Sequence, residues 1–191
     1  PCTHAFHAAC IKELRSFGIK QACPLCRAEL PPGPEQLFEN TLRLYLPIKW
    51  KVDSGQATWG TLTKVQIKNM NEVRELWRSA ADQGHAVSQS QLGLLYALGK
   101  GVKKDYAEAM CWYRQAAEQG HAEAQCNIGV MFESGQGMKI DRTEALRWFH
   151  EAAEQGDGKA QFKLACTFDG DIVGHVKKDN AAAALWYTRA A

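Results

Sequence analysis

The first 26 residues contain six side chains that bind transition metals, four from cysteine and two from histidine. Their pattern is C-x-H-x2-H-x2-C-x12-C-x2-C. Zinc takes four thiolate or imidazole ligands in a tetrahedron, and a short spacing lets neighbouring side chains bind one ion. A disulfide framework would suit a short secreted chain, but interleaved histidines and a Cys-x2-Cys pair favour metal. We therefore predict Zn²⁺ as a cofactor, with candidate ligands Cys2, His4, His7, Cys10, Cys23 and Cys26.

The ligand pattern resembles the last three-quarters of a RING finger of the His-His variant. In that family the ligands form successive pairs, and alternate pairs share a zinc ion. The resemblance implies one complete zinc site, formed by Cys2, His4, Cys23 and Cys26. It assigns His7 and Cys10 to half of a second site, whose first Cys-x2-Cys pair is absent from this sequence. Because the sequence begins at Pro1, we expect that pair upstream.

RING fingers in ubiquitin ligases act without a covalent intermediate, because they hold a ubiquitin-charged conjugating enzyme in a reactive pose. The resemblance implies that Pro24, Leu25 and, by its position on the central helix, Leu14 contact the conjugating enzyme. The family's linchpin cation follows the last ligand, where Arg27 stands. Its guanidinium can bridge ubiquitin and the conjugating enzyme. The alternative for Arg27 is a solvated side chain without that role.

The rest of the chain is organised by a repeat. The phrase Ala-Ala-Asp/Glu-Gln-Gly recurs every 36 residues, beginning at Ala80, Ala116 and Ala152. A fixed period of this length is typical of stacked helix–turn–helix units. We predict first helices near 86–98, 122–134 and 158–168. Aspartates that favour helix N-caps precede the second helices, at Asp105, Asp141 and Asp179.

Glycines and aromatic residues indicate how these helices pack. Gly93 and Gly129 lie inside first helices, where each glycine costs about 1 kcal/mol relative to alanine, so we predict close helix contacts there. Large aromatics next to alanines suit interdigitated layers, so we expect Trp112 and Trp148 to be buried in equivalent positions. We predict that Gly84, Gly120 and Gly156 end the second helices.

The recurring pattern Leu-Gly-x-x-Tyr, Gly-x-Gly-Val, Asp, Ala-x-x-Trp-Tyr-x-x-Ala-Ala resembles the Sel-1-like repeats, relatives of the tetratricopeptide repeat, over about 69–191. The resemblance implies an α-solenoid that holds other proteins. The third copy carries a two-residue insertion within 169–176, so its turn should be looser. The predicted domains are a partial RING-type zinc finger (1–30), a linker and connecting helix (31–62), a capping half-repeat (63–82), two repeats (83–118 and 119–154) and a divergent, truncated repeat (155–191).

The segment between the two modules is rich in proline. Leu30-Pro-Pro-Gly-Pro-Glu35 reads as a linker, because proline is excluded from helix interiors. Pro34 can begin the next helix at its first position. We predict that this helix runs to about Leu46 and that Pro47 breaks or kinks it. A turn region follows at 53–60, and the role of Trp59 within it is not predictable.

Charge and hydropathy limit the possible partners. Lys and Arg total 23 and Asp and Glu total 21, which gives a net charge of +2 and no electrostatic argument for nucleic acid or an anionic membrane. No apolar run approaches the roughly 20 residues of a membrane span. The later cysteines are predicted to be small buried hydrophobes, and the thiol content favours a reducing cytoplasmic or nuclear compartment. They are Cys111, Cys126 and Cys166.

The sequence thus predicts a mostly α protein, with a small, truncated, zinc-stapled RING module followed by an α-solenoid of Sel-1-like helix pairs. The first functional hypothesis is a ubiquitin-protein ligase whose solenoid recruits a substrate or adaptor protein. The alternative is a non-catalytic interaction scaffold in which the zinc finger is structural. A covalent active site is not predicted, because single histidines such as His85 and His121 lie at the turns between repeats.

Overall fold

The computed structural model describes residues 32–169 and 179–190. Within these residues the chain forms eight α helices and no strand. The chain divides into two compact units between Ser88 and Gln89, which are described in turn. The helices are α1 (Pro34–Asp53), α2 (Lys64–Asp82), α3 (Ala86–Leu98), α4 (Tyr106–Glu118), α5 (Ala122–Ser134), α6 (Arg142–Glu154), α7 (Gly158–Phe168) and α8 (Asn180–Ala190).

Helix α1 begins at Pro34, as predicted, but it does not end near Leu46. It continues through Pro47 to Asp53, so the predicted end was wrong. Pro47 is exposed, and the hydrogen bond that proline removes therefore lies on the solvent side of the helix. The buried stripe of the helix continues past this point to Ile48. Burial of such a side chain contributes about 1.5–3 kcal/mol, which offsets much of the cost of the proline.

Aromatic contacts join α1 to α2 and to the turn between them. The Tyr45 ring lies 4.9 Å from the Trp77 ring in an edge arrangement and 6.4 Å from the Trp59 ring, nearly parallel to it. Trp59 thus packs on the Tyr45 ring, a role that the sequence did not reveal. A capping box begins α2, in which Thr63 and Gln66 each accept the other's backbone N–H.

The helices of the repeats lie where the sequence predicted them. The first helices α3, α5 and α7 span the predicted ranges, and the three predicted aspartates cap the second helices. Asp105 accepts the backbone N–H groups of Ala107 and Glu108 at 3.0 Å. Asp179 makes the equivalent pair of bonds, and Asp141 accepts one backbone N–H, that of Glu144. Each of these bonds satisfies an N–H that the helix itself leaves unpaired.

The turns between repeats depend on glycine. Gly120 has a φ of 80°, and its N–H donates to Ala117 O at 2.9 Å, while the His121 N–H donates to Ala116 O at 3.1 Å. This pattern is a Schellman motif, in which a left-handed residue ends the helix. The same two bonds recur around Gly156, and Gly84 has the same positive φ in the first unit. The predicted turn role of these glycines is confirmed.

The turn histidines begin the helices that follow them. His121 Nδ1 accepts the Ala124 N–H at 3.3 Å. In the first unit His85 Nδ1 accepts the Ser88 N–H at 3.3 Å, and its Nε2 lies 3.2 Å from Glu35. Both residues therefore have the turn role that the sequence predicted.

Of the two tryptophans predicted to be buried in equivalent positions, Trp112 is buried and Trp148 is not. Trp112 and Phe149 are buried, whereas Trp148 is only half-buried, so the prediction of equivalent burial was wrong. The Trp112 indole N–H donates to Glu108 one turn earlier at 2.9 Å. The carboxylate that precedes Trp148 by one turn, Glu144, instead pairs with Arg147 at 2.8 Å. The Trp148 Nε1 atom is itself buried and has no hydrogen-bond partner among the described residues.

The cysteine prediction was also wrong in part. Cys126 is buried and Cys166 is half-buried, but Cys111 is exposed. Cys111 directly precedes the buried pair Trp112 and Tyr113 on α4, and its side chain lies on the exposed face of that helix. In the part of the chain that the structure describes, no helix is long and apolar enough to span a bilayer.

Candidate functional site

The predicted zinc and conjugating-enzyme residues all lie outside the described residues, so their arrangement stays a prediction. They are Cys2, His4, His7, Cys10, Leu14, Cys23, Pro24, Leu25, Cys26 and Arg27. The loop that carries the insertion in the third repeat also lies outside them, at 170–178. Across 32–169 and 179–190, no three His, Cys, Asp or Glu side chains converge in a way that could hold a metal ion.

A groove opens in the second unit between α5 and α7, with a volume of about 480 Å³. Two pairs of its residues, Cys126 with Phe162 and Asn127 with Lys163, are 36 positions apart. The groove is therefore formed by the same face of the first helix in two successive repeats. Its lining residues are Cys126, Asn127, Val130, Gly158, Lys159, Phe162, Lys163 and Ala190.

The groove has an exposed aromatic side chain on an apolar base. Phe162 is 54% exposed, and its ring packs edge-on against the Tyr187 ring with 5.9 Å between centroids. Cys126 and Val130 extend the apolar surface from the opposite helix. Exposed aromatic surface of this kind releases water when a ligand covers it, which favours binding.

The two lysines of the groove differ in their partners. Lys163 on α7 pairs with Glu133 on α5 at 2.6 Å, so that its charge is matched across the two repeats. Lys159, one turn earlier on α7, is exposed and has no hydrogen bond or ion pair to any residue in the described ranges. The half-buried Asn127 amide likewise has no hydrogen bond within those ranges. These two groups are free to bind a ligand.

The thiol at the base of the groove is not a candidate nucleophile. Burial, with a smaller effect of the nearby Asp157 carboxylate, raises the pKa of Cys126 to about 12 against still smaller opposing effects of Lys159 and Lys163. A nucleophile or metal ligand needs the thiolate. At neutral pH the groove therefore offers apolar contact, an amide and a positive charge, which are groups for binding and not for covalent chemistry.

Buried glutamines hold neighbouring repeats in register and so position the groove. Gln155 Nε2 donates to Gln125 Oε1 at 2.6 Å, and Gln119 Nε2 donates to Gln89 Oε1 at 2.7 Å, in both cases 30 positions apart. Gln161 continues the series by donating to Ala153 O at 3.1 Å. Sequence reasoning missed this series and the groove. The available signal was the 36-residue recurrence of Gln89, Gln125 and Gln161, because a polar residue on a helix face that packs against another helix needs a partner.

Comparison with known proteins bears on the whole repeat region. The family model described as Sel1 repeat matches residues 67–85, 86–121, 122–157 and 158–191. The chain belongs to the Sel1-repeat family. The α-solenoid predicted from the repeat is thereby confirmed for this Sel1-repeat chain.

Two solved structures have the same fold. One is c5321, a protective antigen of uropathogenic Escherichia coli with an SLR fold, which is 29% identical with a TM-score of 0.65 over 97% of this chain and 33% of that chain. The other is a Sel1 repeat protein from Oxalobacter formigenes, which is 28% identical with a TM-score of 0.63 over 96% of this chain and 69% of that chain. The present chain thus matches a third of the length of c5321.

A second similarity is short. Over 34 residues the chain is 56% identical to the RING-H2 finger protein ATL34 of Arabidopsis thaliana, which corresponds to 18% of this chain and 10% of that protein. This similarity is weak support for a RING finger, because it covers a small part of either chain.

Proposed function

We propose that this Sel1-repeat chain is a protein-interaction scaffold and that the groove between α5 and α7 is the surface that binds a partner protein. The observation that carries the proposal is the exposed Phe162 side chain in the groove, beside two polar groups, Asn127 and Lys159, that have no hydrogen bond or ion pair with any described residue. Protein interfaces are anchored by large aromatic side chains in a setting of a few polar groups.

The form of the groove favours a protein segment over a small molecule. A small-molecule site encloses most of its ligand, whereas Phe162 and Lys159 both remain open to solvent. The nearly balanced charge of the chain supplies no general attraction for nucleic acid. A partner that lies along the two helices would cover the exposed ring and reach both polar groups.

Site-specific crosslinking in the full chain tests the scaffold. A photoreactive Phe162→p-benzoylphenylalanine substitution keeps a ring at this position, and Leu185→p-benzoylphenylalanine is the matched control, because Leu185 is 51% exposed on α8 and does not line the groove. We expect a partner protein that crosslinks from position 162 and then binds the purified full chain in a defined ratio. The proposal fails if no partner crosslinked from any solenoid position binds the purified chain.

A second candidate function is ubiquitin ligation, which the ligand spacing and the similarity to a RING-H2 protein both favour. The donor set of Cys2, His4, Cys23 and Cys26 offers three thiolates and one imidazole, a combination that zinc accepts. Bound zinc would supply folding energy to this segment. In this function Leu14, Pro24, Leu25 and Arg27 would contact a ubiquitin-charged conjugating enzyme, while the groove recruits the substrate or adaptor.

The two candidate functions are separated by a discharge assay. A ligase accelerates release of ubiquitin from some charged conjugating enzyme, and Arg27→Ala slows that step if the guanidinium stabilises the reactive pose. A protein that binds a partner through the groove but accelerates discharge from no enzyme in a broad panel is a scaffold alone.

A further inference from the structure

We propose that the groove selects extended peptide segments in which a large apolar residue and a carboxylate lie within two positions of each other. The apolar side chain would cover Phe162 and Val130, and the carboxylate would pair with Lys159. This inference rests on the proposed scaffold function and specifies the chemistry of its partner.

The charges around the groove favour an acidic ligand. Among the described residues, two lysines and no acidic side chain line it. Glu133 already neutralises Lys163 at 2.6 Å, and Asp157 is engaged as the cap of α7, where it accepts the Ala160 N–H at 2.8 Å. The Lys159 ammonium is therefore the unmatched charge, and a carboxylate is the group that complements it.

The amide of Asn127 favours a peptide main chain as the rest of the ligand. An asparagine side chain has both donors and an acceptor, so it can pair with the C=O and the N–H of an extended backbone. The amide is half-buried beside Cys126 and Val130 and has no hydrogen bond to the residues that the structure describes. A ligand that supplied only a carboxylate would leave the Asn127 amide without a hydrogen bond and the exposed part of the Phe162 ring uncovered.

The spacing of Lys159 and Phe162 limits the sequence of the peptide that can bind. Lys159 and Phe162 are three residues apart on α7, which places their backbones about 4.5 Å apart along the helix axis. An extended peptide advances about 3.3 Å per residue. The acidic and apolar residues of the ligand should therefore be adjacent or separated by one residue.

Selection from a random octapeptide display library on the purified full chain tests the inference. We expect enrichment of Asp or Glu within two positions of Leu, Ile, Phe or Trp. Synthetic peptides from the enriched set should bind Lys159→Glu at least fivefold more weakly, since an exposed ion pair is replaced by repulsion. Lys139→Glu makes the same charge change on an exposed lysine outside the groove and should bind as the parent does.

Several results would overturn the inference. They are enrichment of basic or uncharged peptides, binding that Lys159→Glu leaves unchanged, or an equal loss in Lys159→Glu and Lys139→Glu. If no peptide is enriched while a partner protein still crosslinks from position 162, the segment inference fails and the scaffold stands. If no partner binds the purified chain at all, the scaffold itself fails.

Discussion

Gly129 of α5 lies against the ring of Phe149 on α6 so closely that a Cβ at this glycine would be 2.6 Å from Phe149 Cε1. The same Cβ would also lie 3.2 Å from the Ala145 carbonyl oxygen. Gly93 and Tyr113 repeat the relationship one repeat earlier, again at 2.6 Å. The predicted close contact at these glycines is thus confirmed, and the absent side chain is what lets each helix pair close.

Gly129→Ala should therefore destabilise the protein. Overpacking of a core costs about 1–3 kcal/mol, and Phe149 is buried and has little room to move. The higher helix propensity of alanine offsets up to about 1 kcal/mol of this cost. We therefore expect the free energy of unfolding to fall by about 1–2 kcal/mol. Urea denaturation of the full chain measures it.

Gly158→Ala is the matched control for that substitution. Gly158 begins α7, and the nearest atom to a Cβ there is the Ala190 carbonyl oxygen at 4.0 Å. A surface change of this kind should stay within about 0.5 kcal/mol. Equal destabilisation by the two substitutions would show that the contact with Phe149 is not what excludes a side chain at 129.

Native-state alkylation should distinguish the cysteines of the solenoid. Cys111 is exposed, whereas Cys126 is buried and burial raises its pKa to about 12. Because the thiolate is the reactive form, iodoacetamide at pH 8 should modify Cys126 at least about tenfold more slowly than Cys111. Peptide mapping by mass spectrometry after timed quenching follows each site separately. Equal rates would mean that the base of the groove opens to solvent.

The stability of the protein should fall at alkaline pH partly through Cys126. Its folded pKa lies above that of an unfolded thiol, about 8.5. The folded state therefore retains a proton that the unfolded state releases, so the contribution is present below about pH 8.5 and is lost as the pH rises toward 12.

Cys126→Ala isolates that contribution. Between pH 8 and pH 10.5 the free energy of unfolding of the parent should fall by about 2–3 kcal/mol more than that of the variant. Parallel curves from denaturant titrations at each pH would contradict the prediction. Tyr113, whose pKa burial also raises, is common to both proteins and cancels in the comparison.

Zinc content tests the proposed metal site without any assay of activity. Cys23→Ser removes a predicted ligand and should lower the zinc bound per chain, since structural zinc and folding are coupled. Arg27→Ala should leave zinc content unchanged, because an arginine beside the site donates no ligand atom. Equal zinc loss in the two variants would make Arg27 a structural residue and remove its predicted role in catalysis.

The sequence was most informative where local geometry and the repeat agree. The 36-residue period located the first helices to the residue, and the aspartate caps and turn glycines followed from rules that act within a few positions. The errors arose where tertiary contacts decide. Burial of Ile48 carries α1 past Pro47, and Glu144 pairs with Arg147 instead of accepting the indole N–H of the half-buried Trp148.

The groove could not be predicted from the sequence, because its form also depends on tertiary contacts. A period identifies equivalent positions, but it does not determine which of them remain exposed after the repeats stack. Cys126 and Phe162 occupy equivalent positions, but Cys126 is buried in a cluster with Ala160 and Leu164 of the next first helix, whereas α7, which carries Phe162, is the last first helix among the described residues. Only the three-dimensional arrangement shows that Lys163 is paired, while Lys159 has no ion pair within the part of the chain that the structure describes.

The central claim is that the groove between α5 and α7 binds a partner protein. The most direct test is the Kd of the purified full chain for its crosslinked partner, measured by titration calorimetry for Phe162→Ser and for Leu185→Ser. Both substitutions remove an apolar side chain of similar exposure, 54% and 51%, but only one of them lines the groove. We predict that Phe162→Ser weakens binding by tenfold or more, as expected for an aromatic anchor worth about 1.4 kcal/mol or more, and that Leu185→Ser leaves it within about twofold. Unchanged binding by Phe162→Ser, or equal losses in the two variants, would contradict the claim.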